Sequence, residues 1–197
     1  MSKSDPVSAK REKNKAVRWS VSIFFITILV SGLISLISEE IMSVSGIAVA
    51  FVILLVIVVI GIVFDVIGVA VTSADEAPFH SMAARKVPGS QEAIRLLRKA
   101  ERVSSICNDV VGDICGVVSG AASATIAAQV LSRVELAWPR IVTLAMSALV
   151  AGLTVGGKAI GKTVAINSCT QIVHGVGRIF YTMHHIPTLF GKKKTKR

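Results

Sequence analysis

The chain has 197 residues, of which 52% are hydrophobic and 17% charged, with 22 Lys and Arg against 12 Asp and Glu for a net charge of +10. The apolar residues come in long blocks, as in GIAVAFVILLVIVVIGIVF over residues 46–64, which excludes an ordinary soluble core with its helix or strand periods. The Lys and Arg gather at both ends and in one central loop, a distribution that fits the positive-inside bias of membrane proteins and argues against a nucleic-acid surface.

Residues 1–18 form a basic tail with Lys3, Lys10, Arg11, Lys13, Lys15 and Arg18. A first span is predicted over residues 19–37. Its apolar run, residues 21–37, exceeds the roughly 7 to 15 residues of a secretory signal, so it is expected to remain as a helix. The following segment holds Glu39 and Glu40 without Lys or Arg, which places it outside and makes residues 19–45 an N-terminal span with its outer loop.

A second span over 44–72 returns to the inner side, where residues 73–102 carry Arg85, Lys86, Arg95, Arg98, Lys99 and Arg102. Pro88-Gly89 signals a turn. After it, SQEAIRLLRKAER predicts an amphipathic surface helix capped by Ser90, with Ile94, Leu97, Ala100 and Val103 on one face. A third span over 105–131, the outer turn SRVELAWP, a fourth span over 138–162 and a second surface helix over 164–180 complete the chain, whose basic tail (176–197) ends in KKKTKR. Trp19 and Trp138 fall at span boundaries, where indole rings sit among lipid headgroups.

The expected fold is an all-α integral membrane protein with four transmembrane helices, a cytoplasmic amphipathic helix between the second and third, and a C-terminal juxtamembrane helix. Both termini are expected in the cytoplasm, and the lipid bilayer is that of the cell membrane. No enzyme is expected.

Gly112, Gly116, Gly120, Ala124 and Ala128 in the third span, and Ala148, Gly152 and Gly156 in the fourth, repeat every four residues. Such rows let backbones approach closely, within one chain or between two copies. Ionisable groups inside the spans are Asp65, Asp109, Asp113 and Lys158, each costing about 2.5 to 3.5 kcal/mol at a helix centre unless partnered. All four fall in the cytoplasmic third. Two readings follow: an oxygen site for a hard cation, to which Asn108 and Ser119 add ligands, or a salt bridge in which Lys158 neutralises Asp65 or Asp113.

Three segments, DVIGVAVTSA with Gly89 and Ala93 beyond it, VVGDICGVVSGA, and GGKAIGKTVAIN, are similar to motifs of the transmembrane domain of the cyclin-M and CorC magnesium transporters. These motifs read S-x-x-E-x-A-L-x-S, G-N-x-x-x-N and G-E-I-I-P-K-T-L-A-x-N. The resemblance covers residues 46–175 and implies three spans, a cytoplasmic surface helix between the first two of them, and a homodimer. It further implies Mg2+ or another divalent cation, held by candidates Asp65, Ser73, Asn108 and Asp113. By position the family's serine falls on Asp65, its glutamates on Gly68 and Lys158, and its second-motif asparagine on Asp113, so Lys158 reverses a charge and enters as a modulator. The tail leaves no room for the family's nucleotide-binding regulatory domains, and a separate cytoplasmic regulatory protein is the partner this implies.

Lesser signals are weaker. Gly156 to Thr163, GGKAIGKT, completes the phosphate-loop string without the strand and α/β domain such a loop needs. His184-His185 and His80 lack ligand spacing, and Cys107, Cys115 and Cys169 are expected as free thiols in apolar surroundings.

Overall fold

The computed structural model describes the backbone of residues 6–133 and 138–191, so the terminal KKKTKR lies outside the described residues. All regular structure among them is helical: α1 (Pro6–Val44), α2 (Ile47–Ser73), α3 (Ala77–Ala84), α4 (Ser90–Leu97), α5 (Ala100–Ser105), a π segment (Ile106–Gly112), α6 (Asp113–Arg133), α7 (Pro139–Asn167) and α8 (Cys169–Gly191). Four stretches are long and apolar enough to cross a membrane: Val17–Met42, Ile47–Ser73, Ala100–Arg133 and Pro139–Asn167.

The elements start and stop where local chemistry dictates. Pro6 and Pro139 occupy first helical turns, where a missing N–H is harmless. The α1 helix extends well before the predicted 19–37, because SAKREKNKAV is rich in Ala, Lys, Arg and Glu and has no Gly or Pro. It stops just before Ser45-Gly46, and Gly46 takes the extended conformation that precedes α2.

Central to the bundle is α2, which packs against α1, α4, α5, α6, α7 and α8. At the end distal to the basic loop, Met42, Ala50, Leu54 and Val58 pack with Ala122, Ile126 and Val150. There Gln129 Nε2 donates to the Met42 carbonyl at 2.6 Å, satisfying one of the last acceptors of α1. At the opposite, basic end, Ala70 and Val71 of α2 pack with Phe79, Ala93, Ile94, Leu97, Ala165 and Val173. Phe79 is fully buried, a contact that contributes about 1.5 to 3 kcal/mol where water is the alternative. The apolar stretch of α1 joins this end at its beginning: the Arg102 guanidinium carbon stands 5.7 Å from the centroid of the Trp19 ring.

Outside these cores the long helices present bare apolar side chains, among them Phe24, Phe25, Leu29, Leu33, Val52, Leu55, Leu144 and Ile160. A surface of this kind is one that lipid or another protein covers, since continuous apolar patches of such extent are not kept in water.

Several expectations need correction at the basic end. The amphipathic stretch is two helices, broken at Arg98-Lys99, although Ile94, Leu97, Ala100 and Val103 do lie against one cluster. Ser90 is the first residue of α4 and not its cap; Gly89 holds the cap position at φ 86°, and the Ser90 hydroxyl donates back to the Val87 carbonyl at 2.7 Å. Residues 164–167 belong to α7, which bends into α8 at Ser168, and α8 continues to Gly191 through much of the predicted tail.

The left-handed Gly89 permits a close crossing with α8. A Cβ on Gly89 would stand 2.5 Å from the Arg178 amide nitrogen, and one on Gly177 2.5 Å from the Gly89 carbonyl oxygen, whereas one on Gly175 would meet nothing. His174 Nε2 pairs with the Pro88 carbonyl at 3.2 Å beside this crossing. Gly177→Ala should therefore lower the melting temperature of the detergent-solubilised protein, while Gly175→Ala leaves it unchanged or raises it, since Ala is favoured over Gly in a helix by ~1 kcal/mol. Equal effects of the two substitutions would refute the crossing.

Candidate functional site

Midway between the two cores, three membrane-length helices meet around charged and polar side chains. Asp65 of α2 has a side chain only 7% exposed, and Lys158 of α7, 23% exposed, brings Nζ to 3.5 Å from Asp65 Oδ1. This is an ion-pair distance, longer than the 2.7 to 2.9 Å of a charge-assisted hydrogen bond. The attraction is thus Coulombic, in surroundings where little else stabilises either charge.

Glycines bring the pair together. A Cβ on Gly161 would lie 2.6 Å from Val66 Cγ2 and one on Gly157 would collide with Ile62 Cδ1, so the α7 backbone rests on α2 on both sides of Lys158. On another face of α2, a Cβ on Gly61 would meet Cys115 Cβ at 2.9 Å, and Gly68 accepts the Asn108 side chain, whose Cγ would stand 2.8 Å from a Cβ there. The Lys158 ammonium closes the triangle, 3.3 Å from the Cβ position of Gly112.

Asn108 and Gly112 lie in the π segment, whose i→i+5 turns are wider than α turns and recur at functional sites. Asn108 Nδ2 donates to Ser104 Oγ at 3.2 Å, leaving its amide oxygen toward Gly68. That oxygen and Asp65 Oδ2 are both buried without a hydrogen-bond partner, an arrangement that costs roughly 1 to 3 kcal/mol per group. The site thus holds two oxygen acceptors and one ammonium.

Of the charged and polar residues singled out in the sequence, Asp65 and Lys158 come together, Asn108 packs against Gly68, one turn away on α2, and the others are not brought to the pair. Asp113 is exposed at the start of α6, and Ser73 is exposed at the end of α2. Asp109 is exposed as well and accepts a hydrogen bond from Ser105 Oγ at 2.8 Å. Ser119 is buried but donates to the Gly116 carbonyl at 2.9 Å. Among the described residues, no three His, Cys, Asp or Glu side chains converge on a possible metal position.

The small-residue rows divide in the same way. Gly112 packs at the site, whereas Gly116, Gly120, Gly152 and Gly156 face open space. The glycines that carry the close contacts between the membrane-length helices are Gly61, Gly68, Gly157 and Gly161, whose spacings of seven on α2 and four on α7 are visible in the sequence.

The lesser signals resolve simply. The string Gly156 to Thr163 lies wholly within α7, so its amides are used by the helix and form no phosphate cradle. His80 pairs with Glu76 at 3.3 Å, His184 is exposed, the side chain of His185 lies outside the described residues, and all three cysteines are free, Cys107 buried and the other two half-buried.

Fold and site together define an all-helical chain with four membrane-length helices and an ion pair enclosed where three of them meet. No family model, curated protein or solved structure matches the chain.

Removing one partner of a buried pair strands the other charge. Lys158→Met should destabilise the protein by about 3 kcal/mol, and adding Asp65→Asn should recover most of that loss. Melting of the two single variants and the double variant in one detergent measures the coupling; additive losses would show that the pair does not interact.

Proposed function

We propose that the chain is an integral membrane protein related to the membrane domain of divalent-cation transporters and diverged at the ion position, where Lys158 supplies as a tethered side chain the positive charge that a metal ion supplies in the family. The observation that carries this reading is the 3.5 Å approach of Lys158 Nζ to the buried Asp65 carboxylate. An ammonium there satisfies much of the charge demand of Asp65 and repels Mg2+ from the Asn108 and Asp65 oxygens. Such a module holds its helices together by the pair and acts through assembly.

The order of elements supports the kinship. Helices α2, α6 and α7 follow the three-span order of the motif resemblance, with α3 to α5 between the first two and α8 after the third. The charge bias of the loops supports cytoplasmic termini at the cell membrane. Open faces at Gly116, Gly120, Gly152 and Gly156 support a homodimer, and the basic tail supports a separate cytoplasmic partner.

A second reading, retained transport of a divalent cation, is favoured by one observation: Asp65 Oδ2 and Asn108 Oδ1 are buried oxygens left without partners beside a lysine on a flexible stem. Withdrawal of Lys158 would leave these oxygens for a hard cation.

Thermal melting separates the two. With Lys158 as the resident cation, Mg2+, Mn2+ and Co2+ at millimolar concentration leave the wild-type melting temperature unchanged, while Lys158→Glu, which restores the family's acid, becomes stabilised by Mg2+, by about 2.7 kcal/mol at a hundredfold excess over Kd. A wild-type shift with Mg2+ that Asp65→Asn abolishes, together with Mg2+ uptake by cells lacking other routes, establishes transport instead.

A further inference from the structure

At the basic end, a cavity of 260 Å³ opens between α4, the start of α5 and α8. Glu92, Arg95, Leu96, Lys99 and Val103 line it from the α4–α5 side and Phe180 and His184 from α8, so cationic and apolar side chains share one lining with Glu92 as its one acid. Arg95, Lys99 and His184 are exposed, and along α8 the large apolar side chains Ile179, Phe180 and Met183 are 60%, 52% and 63% exposed. A cleft whose lining combines two cations with three apolar side chains matches a molecule that joins an anionic head to hydrocarbon.

Its depth in the bilayer follows from an independent contact. Val103 lines the cavity and its neighbour Arg102 stands over Trp19, whose indole marks the headgroup region at the start of the first span. The stretch Ala100–Arg133 has 34 residues, about 51 Å of helix at α rise against a hydrocarbon core of roughly 30 Å, which leaves room for its first turns to lie outside the core beside Trp19. The cavity therefore sits where lipid phosphates lie and where acyl chains begin.

We propose that this cleft binds an anionic phospholipid, its phosphate held by Arg95 and Lys99 and the start of an acyl chain lying along Leu96, Val103 and Phe180. The two cations supply charge complementarity, and the three apolar side chains favour a lipid over a free anion or an acidic peptide. The site joins α4 and α5 to α8 without touching Asp65 or Lys158, so it stands independently of the reading given above for the ion pair.

Full-length protein in a neutral detergent, melted with increasing dioctanoyl phosphatidylglycerol, tests this. Phosphatidylglycerol raises the melting temperature in a saturable way; dioctanoyl phosphatidylcholine, inorganic phosphate and a hexaglutamate peptide do not. Arg95→Gln with Lys99→Gln weakens the apparent affinity roughly thirtyfold, the loss of two charges near an anionic headgroup. The pair Arg133→Gln and Arg140→Gln, at the distal end, leaves it unchanged, and Glu92→Gln tightens it. An equal rise with phosphatidylcholine, a rise with phosphate or with the peptide alone, or an affinity unchanged in both the Arg95/Lys99 and the Glu92 variants overturns the proposal.

Discussion

The cost of holding a charge away from water governs the middle of this molecule. Asp65 sits deep in α2, a strongly apolar helix, and among the described residues Lys158 is the one that approaches it with a compensating charge. Neither member can be placed by its own helix. The approach requires α7 to rest directly on α2, so one electrostatic requirement fixes the relation of these two helices, and the helix that carries Gly112 packs beside the ammonium. Where apolar burial does not separate folded from unfolded spans, such a requirement has unusual weight in choosing an arrangement.

Glycine provides the space. The contacts at Gly61, Gly68, Gly157 and Gly161 lie within two turns of Asp65 or Lys158, each where a neighbouring side chain fills the volume of a missing methyl group. The π segment contributes by a different route, since its wide turns direct Asn108 inward while Asp109 faces out against Ser105. Packing and polarity are solved together here, and the two oxygens left without partners mark where that solution is incomplete.

Much of this was legible in the sequence. Uninterrupted apolar blocks and their basic flanks identify the four long helices, because length and composition alone decide them. Lys158 and Asp65 stood out as charges needing a partner, and a salt bridge between them was one of two open readings. That Asp109 and Asp113 both face outward was not legible, because a spacing of four says that two residues share a helix face and not which face, and nothing in ICNDVVG announces a π turn. Nor could the glycine rows be sorted, since a row of small residues looks the same whether it meets its own chain or open space. The break at Arg98-Lys99 escaped periodicity because the apolar face continues across it.

The first helix is fastened to the continuous Ala100–Arg133 helix near both of its apolar ends, by Trp19 against Arg102 and by the Met42 carbonyl against Gln129. The 24 residues from Trp19 to Met42 rise about 35 Å, close to the thickness of the hydrocarbon layer. Two rods pinned at both ends cannot slide past one another. In a thinner or thicker bilayer they must lean as a unit, so the molecule carries a built-in gauge of the membrane it suits.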